Sequence, residues 1–212
     1  MELREVGESC RFHLAQLTRA AERWSRARAT AAGEASEQRH FDHNRFTEVL
    51  HRQGEQQTLA FDALESALAT WARASMIIYP VETGGEPSAF RRNRGAHIRA
   101  LLRLGSANII GDRELRDSWV HFDERLDQVV QQGRWGNRHQ FTTQAEIEAG
   151  KAKGIRLFAL DTLTIYYLRR TGQRSSQTIA SMQASLDEII GNLGSAWQTL
   201  RAGPPVVDED GA

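Results

Sequence analysis

Prolines fall at only four places in this chain, Pro80, Pro87, Pro204 and Pro205. From Met1 to Tyr79, and from Ser88 to Gly203, no residue forbids an α-helix outright. Apolar residues in these stretches recur at spacings of three and four, the period of a helix that buries one face. Cys10, Leu14, Leu17, Ala21 and Trp24 predict a helix over about 8–30, with a break at Ala32-Gly33. A second helix is expected over about 36–79, with Phe61, Leu64, Leu68, Trp71, Ser75 and Ile78 on its inner stripe and Gly54 as a bend. Pro80 to Pro87 encloses Gly84-Gly85 and reads as a loop. The next helix covers about 90–104, with Ile98, Leu101 and Leu102 on one face. Asp112 is placed to cap a helix over about 113–131, which would bury Leu115, Trp119, Phe122, Leu126 and Val129 and stop at Gly133.

The pattern then changes period. Ile155, Leu157 and Ala159 alternate with Arg156 and Phe158, and beyond Asp161-Thr162 the residues Leu163, Ile165 and Tyr167 alternate with Thr164 and Tyr166. Two period-two runs about a short polar turn predict a β-hairpin. A last helix is expected over about 175–201, with Ile179, Met182, Leu186, Ile189, Leu193, Trp197 and Leu200 as its stripe. Pro204-Pro205 ends it, and the acidic tail is expected to be disordered. The fold expected is therefore mainly α, an antiparallel helical bundle with a small β-hairpin before the C-terminal helix. Its segments would be an N-terminal helix (1–33), a helical core (34–135), the hairpin with the C-terminal helix packed on that core (136–203), and the tail (204–212).

Charge narrows the function classes. The 27 basic and 27 acidic residues cancel, so any nucleic-acid contact must be local rather than a general basic coat. The lone cysteine, Cys10, excludes an intrachain disulfide and a cysteine-rich zinc site. No apolar run is long enough to span a bilayer, and Glu2, Glu5 and Glu8 are out of place in a signal peptide. A cytoplasmic protein with no membrane partner is expected.

Two Glu-x-x-His pairs, Glu37/His40 and Glu48/His51, carry the spacing used in di-iron bundles. On one helix they would stand about 16 Å apart, too far to grip one metal pair, so they read as polar helix faces and no metal or cofactor is expected. His43 adds little to them. Neither a G-x-S-x-G element nor a phosphate loop occurs, and Cys10 lies on an apolar stripe that suits a core residue better than a nucleophile.

Arginine and histidine five positions apart occur three times, at Arg92/His97, Arg116/His121 and Arg134/His139. Arginine is so frequent here that random placement supplies such a pair about once, so context has to choose. Context favours Arg116/His121, in Leu115-Arg116-Asp117-Ser118-Trp119-Val120-His121-Phe122-Asp123-Glu124-Arg125-Leu126-Asp127, beside an apolar stripe. On one helix the two side chains lie about 140° apart, so they would meet one substrate only in a groove at the helix start or across a two-fold interface. Asp117 and Asp123 are near enough to orient His121 or to pair with Arg116. A structural ion-pair network pinning the helices together is the other use for these groups.

This segment resembles the signature of HEPN-like (higher-eukaryote and prokaryote nucleotide-binding) helical proteins: arginine, a polar residue, three others, then histidine. Arg116, Asp117 and His121 take the three signature positions, and by helix order the likeness extends over about 60–130. The resemblance implies a dimerising helical bundle. It further implies a metal-independent ribonuclease of a toxin–antitoxin or defence system, partnered by an antitoxin or regulatory protein. One position departs: the branch regulated by a nucleotidyltransferase has tyrosine two residues after the histidine, where this chain has Asp123.

The chemistry is coherent with that implication. Histidine is the natural base near neutral pH for attack by a 2′-hydroxyl, and arginine offers fixed donors to the charge gathering on phosphorus-bound oxygens. Between Pro87 and Gly111, Arg91, Arg92, Arg94, Arg99 and Arg103 occur with no acidic residue. Such a local basic helix suits RNA phosphates, as it also suits a solvated face or a dimer contact. The expected assignment is Arg116, His121 and Asp117 as catalytic and Arg91, Arg92, Arg94 and Arg99 as RNA-binding. The alternative is a non-catalytic helical dimer that binds a protein partner or a nucleotide.

Overall fold

The computed structural model describes residues 2–37, 43–80, 86–120, 127, 131, 139–152, 154 and 156–202. It is mainly α, a helical bundle with a four-stranded mixed sheet just before the C-terminal helix. Helix α1 spans Glu2–Glu37. It starts earlier than its expected bound because Leu3 and Val6 extend the buried stripe Cys10, Leu14, Leu17 and Ala21, while Glu2 and Glu5 favour its positive end. The break expected at Ala32-Gly33 does not occur, since one glycine costs a helix only about 1 kcal/mol. Helix α2 spans His43–Ile78, with Gly54 inside it. The two lie antiparallel: Arg73 pairs with Glu2 at 2.9 Å, and the Cys10 thiol donates to the Ala67 carbonyl.

Helix α3 covers Glu86–Leu102 and closes on Arg103, whose φ of 45° turns the chain out of the helix. A 3-10 turn at Ile109–Gly111 leads into α4, Arg113–Val120. The expected continuation to residue 131, with Phe122, Leu126 and Val129, lies outside the described residues apart from isolated positions.

The hairpin proves to be the centre of a larger sheet. Strands β1 (His139–Thr142), β2 (Arg156–Ala159), β3 (Thr164–Leu168) and β4 (Arg174–Thr178) lie in that order, β1 parallel to β2 and the others antiparallel. The short helix α5, Gln144–Glu148, links β1 towards β2 and begins with a capping box between Thr143 and Glu146. The expected start of the last helix at 175 is corrected: Arg174–Thr178 pairs with β3, and helix α6 begins at Ile179, where the Thr178 hydroxyl accepts from the Ser181 amide. All four residues of β2 are buried, so Arg156 does not face solvent as simple alternation suggests.

Phe141, Phe158, Ile165 and Tyr167 share the sheet face that joins the helical core; α5 lies on the other face, where Tyr166 donates to Gln144. One hydrophobic cluster takes in α1, α2, Leu102, Ile110, Leu115, the sheet, and Ile179, Met182, Leu186 and Ile189 of α6. Ser185, Glu188 and Asn192 of α6 bind the chain between Leu102 and Ile109, which fixes the approach to α4. No described helix is long and apolar enough to cross a membrane.

Candidate functional site

Helix α2 stops because Pro80 cannot continue it and disfavours helical geometry at Tyr79. Its last carbonyls therefore lack helical partners and carry the negative end of the helix dipole. Two arginines meet them. The Arg99 guanidinium donates to the Ile78 carbonyl at 2.7 Å and lies 4.8 Å over the Tyr79 ring. Arg116 donates from a terminal nitrogen to the Tyr79 carbonyl at 3.2 Å.

Two glycines let neighbouring elements come this close. A Cβ at Gly95 would stand 2.5 Å from Pro80 Cδ and 2.9 Å from the Ile78 carbonyl oxygen, and a Cβ at Gly111 would stand 2.9 Å from the Tyr79 ring. Gly111 brings the chain to Asp112, which caps α4 as expected: one carboxylate oxygen accepts from the Glu114 and Leu115 amides. Its other oxygen accepts from the Tyr167 hydroxyl at 2.8 Å and from the Gln177 amide, tying α4 to β3 and β4.

Within α4, Leu115 is buried and the next residue, Arg116, is only 4% exposed. Its Nε and a terminal nitrogen each stand 2.8 Å from the same carboxylate oxygen of Asp117, whose side chain is 34% exposed. Arg116 and Asp117 thus form one unit, held inward by Tyr79 and open outward at the carboxylate. His121, the third member of the expected set, lies outside the described residues, as do Asp123 and Arg134. His139 belongs to β1, where its backbone registers with Arg156.

The basic helix divides. Arg91, Arg92 and Arg94 of α3 are exposed, as is His97, whereas Arg99 faces inward to the end of α2. Beside them Phe90 is 70% exposed. Sequence reasoning missed Arg156, buried in β2, which donates to the Ser118 carbonyl of α4 at 2.7 Å. The signal was available: an arginine within a four-residue run otherwise apolar. It also missed the role of Tyr79 and Tyr167 as anchors for α4.

Of the Glu-x-x-His pairs, Glu48 bonds to Arg52 and His51 to Glu55 along exposed α2, while residues 38–40 lie outside the described residues. Among the described residues no three His, Cys, Asp or Glu side chains group as a metal site. Burial pushes the Cys10 thiol up to about 12, as suits a packed core residue rather than an activated nucleophile. Comparison with protein-family models, curated proteins and solved structures finds no match to this chain.

Proposed function

We propose that the protein is a metal-independent endoribonuclease of a toxin or defence system, acting as a homodimer. His121 serves as the base that takes a proton from a ribose 2′-hydroxyl, and Arg116 steadies the phosphorane-like state that follows. The supporting observation is the fixed Arg116–Asp117 unit of α4, a guanidinium held from two sides. Asp117 stands four residues before His121 in the sequence, and in this reading the carboxylate that holds Arg116 also orients the imidazole. Arg91, Arg92 and Arg94 would bind the RNA backbone. The test is cleavage of single-stranded RNA in EDTA, which should leave 2′,3′-cyclic phosphate ends and should vanish in His121→Ala without loss of fold.

A second reading is favoured by the burial of Arg116, whose donors already serve Tyr79 and Asp117. In that reading the motif is a structural staple in a non-catalytic helical dimer that binds a protein partner or a nucleotide. Removing one partner of a buried ion pair typically costs about 3–5 kcal/mol. A parent protein without activity, together with a large fall in melting temperature for Arg116→Ala, would decide for the staple.

A further inference from the structure

Strand β4 ends the sheet on one side, and the ladder it forms with β3 fixes which of its backbone groups face out. Just beyond the two ends of that ladder, the Ile179 amide donates to the Leu163 carbonyl and the Arg169 amide to the Gln173 carbonyl. Hydrogen-bonded pairs recur every second residue in an antiparallel ladder, so Gln177 with Ile165 and Ser175 with Tyr167 are the bonded pairs between them. The backbone of Ser175 and Gln177 therefore turns towards β3, and that of Arg174, Ser176 and Thr178 turns outward. At the centre, the exposed Ser176 has neither its amide nor its carbonyl bonded among the described residues. Proteins usually guard such an edge with lysine, proline, a bulge or a covering element. Arg-Ser-Ser-Gln-Thr has neither lysine nor proline, and its register with β3 runs unbroken over all five residues. The neighbouring side chains are engaged within the chain. Arg174 donates back to the Gly154 carbonyl at 3.3 Å, Ser175 accepts from Arg169, and Gln177 binds Asp112 and Ser181. What the edge presents is main chain with one small hydroxyl, a surface that another extended strand can read.

The strand is its own antiparallel complement. Its outward residues lie symmetrically about Ser176, so a two-fold axis there sets Ser176 opposite the partner's Ser176, each amide donating to the other's carbonyl. Arg174 then falls opposite the partner's Thr178. Basic and acidic residues cancel at 27 each, so no net repulsion keeps two copies apart. We propose that two copies of this chain associate through β4, joining their four-stranded sheets into one continuous sheet. Five-residue strands make a small contact beside the about 1,600 Å² of a standard interface, so the dimer is a weak one whose population rises with concentration. The pairing uses none of the chemistry proposed for Arg116 and holds whether or not the protein cleaves RNA.

Analytical ultracentrifugation of the full chain over a range of concentrations tests this. The parent should pass from monomer to dimer. Ser176→Pro removes the central donor, and because that amide points away from β3 the fold should survive, as circular dichroism would show. Its dimer should vanish. Ser176→Lys keeps every backbone group but sets two like charges face to face at the axis, and should weaken association about tenfold or more; Ser176→Glu should do the same. Mixing the lysine and glutamate variants should restore association as a heterodimer, because opposite charges then meet across the axis. That rescue requires position 176 to face itself, and it carries the test even if the proline variant fails to fold. A parent that stays monomeric overturns the proposal and leaves the edge to an extended segment of another protein. Variants that dimerise as the parent does also overturn it, by placing the dimer on another face, and a mixture without rescue rejects the register about Ser176. The ribonuclease reading is decided separately by cleavage: a dimer formed elsewhere leaves it standing, and a β4 dimer without cleavage does the reverse.

Discussion

Arg99 stands in sequence among Arg91, Arg92 and Arg94, but it does different work. Its guanidinium occupies the Ile78 carbonyl and stacks on Tyr79, whereas Arg91 and Arg94 project from α3 into solvent. Arg99→Ala should lower stability by about 1–3 kcal/mol, because a carbonyl at the end of α2 loses its donor and the ring loses its cation. Arg91→Ala and Arg94→Ala should stay within about 0.5 kcal/mol, as substitutions on an open surface do. Chemical denaturation of the three variants checks this, and a neutral Arg99→Ala would contradict the geometry. The distinction was legible in outline. Gly95, Arg99 and Leu102 recur at helical spacing, so Arg99 shares the face that docks, yet only the partner carbonyl reveals why an arginine belongs there. Arg116 and Arg156 follow the same logic, each donating to a carbonyl of a neighbouring element. A charge count cannot tell such arginines from those offered to a ligand.

At the scale of elements, periodicity located the helices because α1, α2 and α6 each bury one continuous stripe. It failed where burial is absent or two-sided. Strand β4, Arg-Ser-Ser-Gln-Thr, lies at the sheet edge with alternate residues exposed and offers no apolar pattern. Strand β2 is buried on both faces, so Arg156 broke the pattern it belonged to. Propensity alone makes every helical glycine a weak point, while the structure gives Gly54 and Gly95 opposite roles. Gly54 lies in α2 with nothing within 4 Å of an added Cβ, so Gly54→Ala should stabilise by about 0.5–1 kcal/mol. Gly95 also lies in a helix and gains the same propensity from alanine. There the methyl would meet Pro80 at 2.5 Å and a backbone oxygen at 2.9 Å, which no side-chain movement relieves. Gly95→Ala should therefore destabilise by about 1–3 kcal/mol despite its better propensity, and should loosen α3 from the end of α2. Melting temperatures of the two variants should move in opposite directions; a rise in both would show that α3 does not depend on this close approach.

Across the whole molecule, Asp112 is the joint between the bundle and the sheet. One of its oxygens starts α4, and the other holds Tyr167 of β3 and Gln177 of β4. Burial pushes the Tyr167 hydroxyl up to about 12 from an ordinary value of 10.0, with the neighbouring Asp112 acting in the same direction. Burial likewise raises Tyr166, and raises Cys10 from 9.0 to about 12. All three groups hold their protons more tightly folded than unfolded. Their contribution is complete below the unfolded values and is lost as pH rises through the folded ones, since the unfolded chain releases its protons first. Stability should therefore begin to fall near pH 9 and drop steeply between about pH 10 and 12. Tyr167 accounts for about 2–3 kcal/mol of that loss, because each tenfold gain in proton affinity on folding is worth about 1.4 kcal/mol. A tyrosinate formed there would face the Asp112 carboxylate across a 2.8 Å contact, so the seam between α4 and the sheet should open before the α1–α2 pair does. Tyr167→Phe keeps the ring in the core and removes the titrating group. It should lower stability at neutral pH by about 1 kcal/mol, for the missing hydrogen bond, and flatten the alkaline slope. Cys10 and Tyr166 would still supply the remainder. Urea midpoints measured from about pH 8 to 12 on both proteins test the joint directly. Parallel curves would mean that Tyr167 does not couple sheet to bundle, whereas converging curves place the coupling at Asp112.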